Sequence, residues 1–391
     1  MALRALGLAI DTYAIRREPI SECRTRADRE AWETTYALRP AQLADHLRAH
    51  LTGILTRPRH YGDALRRAIA MGAGSSRGLA RHGAYFLEAV VLWDRCRRRD
   101  VRHVHAHFAN VASDVALLAA RLGGPGFSWS FTMHGPTEFY DVHGHGLPDK
   151  VAEARFVVCI SDFARSQLMA MAPPRSWDKL HVVHCGVDTD RFSPAAPAAP
   201  AAPDGTVRIT CVGRLVPEKG QALLLQALAR LRAEGHTVSL TVVGDGPERV
   251  YLEQTAAELG LGEEVVFRGS VGPDEVHAVL RATDIFCLPS FAEGVPIVLM
   301  EAMAMELPVV ASQVMGIPEL IQDRITGRLI PPGAVDELSA ALSELVTDID
   351  LRATLGRAAR GRVREEFELS ASARQLRSLY ERYLWPDAYS R

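Results

Sequence analysis

Residues 290–308 read SFAEGVPIVLMEAMAMELP, and their reading decides the fold. Ahead of them, residues 282–288 (ATDIFCL) predict a buried strand that runs out into a Pro-Ser turn. Behind them, residues 307–311 (LPVVA) predict the next strand. Between the two, Gly294 and Pro296 open a helix, the proline sitting where a first-turn N–H has no intrahelical partner. Strand, turn, helix and strand make the repeating unit of a parallel α/β sheet. The order puts a helix N-terminus at the carboxyl end of a strand, where open α/β sheets bind ligands. The free N–H groups and dipole of that helix end suit an anion such as phosphate.

Two carboxylates mark the same stretch. Glu293 falls in the loop before the helix and Glu301 beyond its first turn. Eight residues at about 1.5 Å each span ~12 Å at most, roughly the length of a nucleotide sugar. One carboxylate can then hold the hydroxyls of a sugar and the other those of a ribose, with a diphosphate between them. A bare pair of acids would read as a loop acid and an exposed helical acid. The strand, glycine, proline and helix around this pair favour the ligand.

Two more strand ends carry matching chemistry. Residues 207–212 (VRITCV) predict a strand, followed by GRLVPEKG at 213–220 and a helix over 221–232. Arg214 can fork onto two phosphate oxygens, and Lys219 adds a compact second cation. Residues 238–243 (VSLTVV) predict a strand ending in Gly244-Asp245-Gly246-Pro247, a turn that lets backbone approach a ligand closely. It lacks the third glycine of a dinucleotide fingerprint, which disfavours a dehydrogenase.

These segments resemble the family 4 retaining glycosyltransferases of GT-B fold. The resemblance is carried by S-x-x-E-G-x-P-x-x-x-x-E-A-M-A-x-x-x-P-V-V-A over 290–311, GIPE at 316–319, TGRLIPPG at 326–333 and G-R-L-x-x-x-K-G at 213–220. It implies an α/β protein of two Rossmann-like domains facing across a cleft. The implied reaction moves a sugar from a UDP- or GDP-linked donor to an acceptor hydroxyl, with anomeric configuration retained. On this resemblance Glu293 orients the transferred sugar and Glu301 the ribose. Arg214, Lys219 and the helix end at Val295, Pro296 and Ile297 stabilise the departing diphosphate, with Gly213, Gly244, Gly246 and Gly294 lining the donor site. Ser270 and Val271 follow a strand at 265–267, where related enzymes hold the base. His134, after a strand at 127–132, matches a histidine that touches the transferred sugar, and joins Glu293, Arg214 and Lys219 as catalytic. His107, in an H-x-H-F strand end at 105–108, helps wall the acceptor side. No general base is implied; a leaving phosphate oxygen takes the acceptor's proton.

The N-terminal half and the junction HCGVDTDRF at 184–192 look most like bacterial exopolysaccharide enzymes of the colanic-acid type. That implies a glycan or lipid-linked acceptor, in the cytoplasm or at the inner membrane face. The rival expectation is a non-catalytic nucleotide-sugar-binding or scaffold protein with a degenerate acceptor domain.

The predicted domains are 1–192, a Pro/Ala linker at 193–205, 206–368, and a last helix at 369–391 that crosses back to the first domain. The chain opens with helix-like residues 2–6, Gly7 as a cap and a strand at 8–15, so the first strand of the Rossmann sheet is expected to be missing or the sheet shortened. Residues 31–85 read as helical, with Arg81, His82 and Gly83 separating two stretches.

Composition narrows the classes. The 391 residues are 48% hydrophobic and 24% charged, ordinary for globular domains, and a net charge of −2 gives no drive toward nucleic acid. Between His46 and Arg99 stand eleven arginines, no lysine and three acids. That reads either as a solvated surface or as a face for anionic lipid or a pyrophosphate-linked acceptor. Six cysteines without a C-x-x-C pair indicate a reducing compartment and no cysteine zinc site. His105 and His107 alternate without further ligands at metal spacing, and the D-x-D triplets at 188–190 and 348–350 fall outside the strand ends, so no metal or other cofactor is expected.

Overall fold

The computed structural model describes residues 2–39, 42–75, 78–194 and 205–385. Most of the predicted linker, residues 195–204, lies outside the described residues. The chain divides into two units, residues 1–183 with 374–391, and residues 184–373.

The first unit holds two parallel sheets. Strands β1 (Thr12–Arg16) and β2 (Thr35–Arg39) have near-identical sequences, TYAIR and TYALR, and pair in register, Thr12 beside Thr35 and Tyr13 beside Tyr36. Two corrections to the sequence reading follow. The first strand begins at Thr12, four residues late, because residues 2–5 form a helical turn closed at Gly7 and residues 8–11 only connect. The helical run expected from residue 31 is interrupted by β2, whose Thr-Tyr start favours a strand. The main sheet is β3 (His103–His107), β4 (Ser128–Met133), β5 (Val157–Cys159) and β6 (Leu180–Val182), paired in that order and all parallel. Helices Leu43–Thr56, Pro58–Ala73, Gly78–Arg98 and Val111–Gly123 pack beside it. Arg81, His82 and Gly83 sit inside the third of these and break nothing; His82 is buried and packs edge-on against Tyr85. Helix Asp162–Met171 is capped by Ser161, whose hydroxyl accepts from the Ala164 N–H at 3.1 Å. The end of helix Leu369–Leu384 belongs to this unit, where Tyr380 closes a small core with Phe156, Val158 and Val183.

The second unit is a six-stranded parallel sheet. Its strands are β7 (Val207–Val212), β8 (Val238–Val243), β9 (Val265–Gly269), β10 (Ile285–Leu288), β11 (Val309–Ser312) and β12 (Arg328–Ile330), in the order β12-β11-β10-β7-β8-β9. Read from β9, this is the 3-2-1-4-5-6 order of a doubly wound Rossmann sheet. Every residue of β10 and β11 is buried, as a strand covered on both faces requires. The chain reverses direction of winding between β7 and β10, which are hydrogen-bonded neighbours. The sequence reading placed residues 184–192 with the first domain; here they pack in the second unit. Val187 bridges to Glu368, and the Thr189 hydroxyl donates to Glu368 Oε2 at 2.5 Å.

Candidate functional site

The switch between β7 and β10 gathers most of the predicted donor residues. The loop after β7 carries Gly213, Arg214 and Lys219; the loop after β10 carries Glu293 and Gly294 and leads into helix Ile297–Ala304. Backbone fixes the two loops together, the Phe291 N–H donating to the Glu218 carbonyl at 2.8 Å. Lys219 Nζ then reaches Glu293 Oε1 at 2.5 Å, and the Ser290 hydroxyl donates to the same oxygen at 2.8 Å. Glu293 is only 7% exposed, so its charge is held by these partners rather than by water. Arg214 is exposed, and its carbonyl accepts from the Gln221 side-chain amide at 2.9 Å, which ties the loop to the helix behind it. Ser290 and Gln221 were not anticipated as supports. Ser290 had a signal, the S-x-x-E spacing with Glu293; Gln221 had none.

Glycine is required where the loops touch. Gly244 lies at φ +137°, and a Cβ there would stand 1.9 Å from the Gly213 carbonyl oxygen. Gly220 lies at φ +65° with Pro289 O at 2.2 Å from the same imagined atom. The turns after β7, β8 and β10 therefore nest at backbone distance. Gly246 continues the turn after β8, while Ser270 and Val271 follow β9, two strands out from β7.

The helix after β10 begins without a side-chain cap, with Pro296 at the N-cap position rather than inside the first turn. Val295 and Pro296 are buried and Ile297 is exposed. Its N-terminal N–H groups point their dipole toward the loop that holds Lys219 and Glu293. Glu301 is half-buried, and burial pushes its carboxyl up to about 7, a rise that Arg191 partly opposes. An acid poised near neutrality beside a ligand-binding strand end is a mark of a functional site.

His134 and His107 meet in the first unit. His107 Nδ1 lies 2.7 Å from His134 Nε2, and the Phe108 ring packs on His134 with centroids 4.8 Å apart. Phe108 holds φ +68°, a strained value for a side-chain-bearing residue. Its neighbour Ala109 is pinned by the buried Lys150, whose ammonium donates to the Ala109 carbonyl at 2.7 Å and pairs with Asp114 at 2.8 Å. Below the pair, β3 and β4 stack polar side chains on one face. His103 contacts Ser128 and Ser130, each at 2.8 Å; His105 contacts Ser130 at 2.7 Å and Thr132 at 2.8 Å. Burial drives these imidazoles toward the neutral form: His103 and His134 are lowered to about 4, His134 also by the nearby His107, and His105 lies well below the ordinary value.

Both D-x-D triplets start with turn and cap residues. Asp188 accepts from the Asp190 and Arg191 N–H groups, and Asp348 caps helix Ile349–Glu366 by accepting from the Leu351 N–H.

Residues 193–362 match the family described as glycosyl transferases group 1, and residues 42–191 match glycosyltransferase family 4. A GDP-mannose-dependent alpha-(1-6)-phosphatidylinositol monomannoside mannosyltransferase of Mycobacterium tuberculosis is 32% identical over 304 residues, covering 72% of this chain and 77% of that protein. The putative colanic acid biosynthesis glycosyltransferase WcaL of Escherichia coli is 35% identical over 231 residues, covering 57% of this chain and 55% of its own length. Among solved structures, the sucrose-phosphate synthase of Thermosynechococcus elongatus superposes with a TM-score of 0.71 at 21% identity, covering 97% of this chain and 90% of that one. Two Rossmann-like units, a site at the strand-order switch and these matches lead to one conclusion: the chain belongs to the family 4 glycosyltransferases and has the GT-B fold.

Proposed function

We propose that this glycosyltransferase transfers a sugar from a UDP- or GDP-linked donor to a hydroxyl of a lipid-linked glycan acceptor, with retention and without a metal ion. The observation that carries the reading is the convergence of Arg214, Lys219, Glu293 and an uncapped helix start at the β7/β10 switch. As the glycosidic C–O bond to the diphosphate breaks, negative charge grows on the leaving oxygens. Arg214, Lys219 and the helix N–H groups stabilise that charge. Lys219 is already positioned by Glu293, so little reorganisation is needed on donor binding. Glu293 orients the transferred sugar, and Glu301 accepts from the ribose hydroxyls. The acceptor O–H attacks from the same face and gives its proton to a leaving phosphate oxygen. His134 contacts the transferred sugar and His107 stands on the acceptor side. Gly213, Gly244, Gly246 and Gly294 line the donor path, and Ser270 and Val271 hold the base.

Two relatives support the acceptor class, since one is named for a phosphatidylinositol mannoside and one for colanic acid biosynthesis. No helix among the described residues is long and apolar enough to cross a membrane, which fits an enzyme working from the cytoplasmic face on a membrane-held substrate.

The test is a screen of UDP- and GDP-sugars for thermal stabilisation, followed by product analysis with the stabilising donor. Transfer with retained anomeric configuration in the presence of a chelator is expected. Activity abolished by the chelator and restored by manganese would overturn the metal-free reading. Donor binding with neither hydrolysis nor transfer would support a binding protein instead.

A further inference from the structure

Phe108 is a bulky residue in left-handed backbone, at φ +68°, a conformation that glycine or asparagine adopts with less strain. The turn around it is fixed from several sides. Its own N–H donates to the Thr132 carbonyl at 2.9 Å. The Lys150 ammonium donates to the Ala109 and Asn110 carbonyls at 2.7 and 3.3 Å, and the Ser113 hydroxyl donates to the Asn110 carbonyl at 2.7 Å. The Asn110 side chain caps the next helix by accepting from the Ala112 N–H. Lys150 and Asp114, paired at 2.8 Å, are both buried. A buried ion pair adds little net stability. What this one adds is a fixed course for residues 108–110.

That course presents an aromatic ring at the surface. Phe108 is 44% exposed and follows the carboxyl end of β3, the end at which open α/β sheets bind ligands. Its ring meets His134 with centroids 4.8 Å apart, and His107 Nδ1 lies 2.7 Å from His134 Nε2. An apolar ring therefore stands beside two imidazoles. The combination matches a pyranose, whose C–H face is apolar and faintly positive while hydroxyls surround its rim. The C–H hydrogens suit the negative face of an aromatic ring, and the hydroxyls suit imidazole nitrogens, which donate or accept. An acyl chain would leave the imidazoles unused. An anion would gain no charge from His134, which is lowered to about 4 and so is neutral near pH 7.

We propose that Phe108 is a stacking platform for a pyranose ring of the acceptor glycan, with the His107–His134 pair engaging a hydroxyl at its rim. Since His134 is also assigned to the transferred sugar, the acceptor ring lies next to the group it receives. The platform deepens the reading of a glycan acceptor and rests on it.

The experiment is saturation-transfer NMR of the full chain with methyl glucoside, galactoside and mannoside, using glycerol as a probe with hydroxyls and no ring. At least one pyranoside is expected to bind, with saturation strongest on the C–H protons of one face. Phe108→Asn removes the ring at a residue type that accepts positive φ, and circular dichroism and the melting temperature check that the fold is kept. It should weaken pyranoside binding roughly tenfold, and Phe108→Trp should stay within about threefold of the wild type. With the same pyranoside as acceptor, Phe108→Asn should raise the acceptor KM by a similar factor and leave the donor KM within about twofold. Equal pyranoside affinity in Phe108→Asn and the wild type would overturn the platform. So would a wild type that binds none of the three pyranosides, or a donor KM that rises in step with the acceptor KM, which would move the ring to the transferred sugar. Transfer by the wild type with affinity unchanged in Phe108→Asn sinks the platform alone. Pyranoside binding lost in Phe108→Asn, with no transfer by the wild type, sinks the catalytic reading alone.

Discussion

Glu301 is a residue whose ionisation the folded chain resists. Its carboxyl is raised from the ordinary glutamate range to about 7, so between those values the folded protein holds a proton that the unfolded chain has released. The cost of burying the ionised form is absent below the ordinary range and fully present above pH 7. Glu301→Gln should therefore stabilise the protein at pH 8 by on the order of 2 kcal/mol, and by little at pH 4.5. Denaturant melts at both pH values check this; equal effects would remove the buried-acid reading. The same substitution should weaken binding of free UDP or GDP as well as donor, if the carboxylate holds the ribose. Glu293→Gln should instead reduce turnover far more than product affinity, because a grip on the transferred sugar matters most as charge develops at its anomeric carbon. Calorimetric titration of the nucleotide into each variant separates the two, and equal loss in both would reverse the orientation of the donor along the helix. The two cations also differ. Arg214 is exposed, so Arg214→Ala should weaken donor binding by roughly 1.5–3 kcal/mol with no change in melting temperature. Lys219→Ala should cost similar affinity and also stability, because it strands the Glu293 charge with Ser290 as its remaining partner in the site. Unchanged affinity in both variants would end the diphosphate assignment. That pairing was not legible in the sequence: the types of Lys219 and Glu293 announced a site, but 74 residues separate them, and only the folded sheet shows that each holds the other.

At the scale of elements, β3 and β4 form a ladder of buried imidazoles and hydroxyls. The series Ser128, His103, Ser130, His105, Thr132 closes link by link with both histidines neutral. Burial is what disfavours the protonated ring, because the ladder lies away from water that would solvate its charge. The sign follows from the lowered values: between about 4 and the ordinary histidine range, the unfolded chain binds protons that the folded ladder refuses. Stability should be full above pH 6.5 and should fall as pH drops from there toward 4. His105→Gln should flatten that fall by about one proton, measured as the pH slope of the denaturation midpoint; an unchanged slope would mean that His105 takes no part. The alternation of His103, His105 and His107 was visible in the sequence, but its facing partners came from another strand. Legibility elsewhere also tracked how local the signal was. Strands β7 and β8 were read to the residue, because continuous apolar runs bounded by Gly leave little choice. Strand β2 was missed because TYALR sits against a good helix, and its reason to extend is the matching TYAIR of β1.

At the scale of the molecule, the chain leaves the first unit after Val183 and returns to it at Arg374, so the first unit depends on a segment nearly two hundred residues away. That dependence centres on Tyr380. Its ring meets Phe156 at 5.7 Å, His105 at 5.6 Å and His103 at 6.1 Å, and so roofs the ladder that needs water kept out. Tyr380→Ala should remove the aromatic contacts and open a cavity, at a cost of about 3–5 kcal/mol. Water reaching His103 and His105 would also relax their lowered pKa values, so the pH slope of the variant should be shallower than that of the wild type. On the proposed donor site, nucleotide affinity is set by residues of the second unit and should persist. The measurement is urea unfolding followed by ellipticity, with UDP or GDP titrations at urea concentrations that melt only the first transition of the variant. An early transition that leaves nucleotide affinity intact places Tyr380 as the closure of the first unit. Affinity lost in step with that transition would show that the two units unfold together, and that the returning helix stabilises the whole chain and not one half of it.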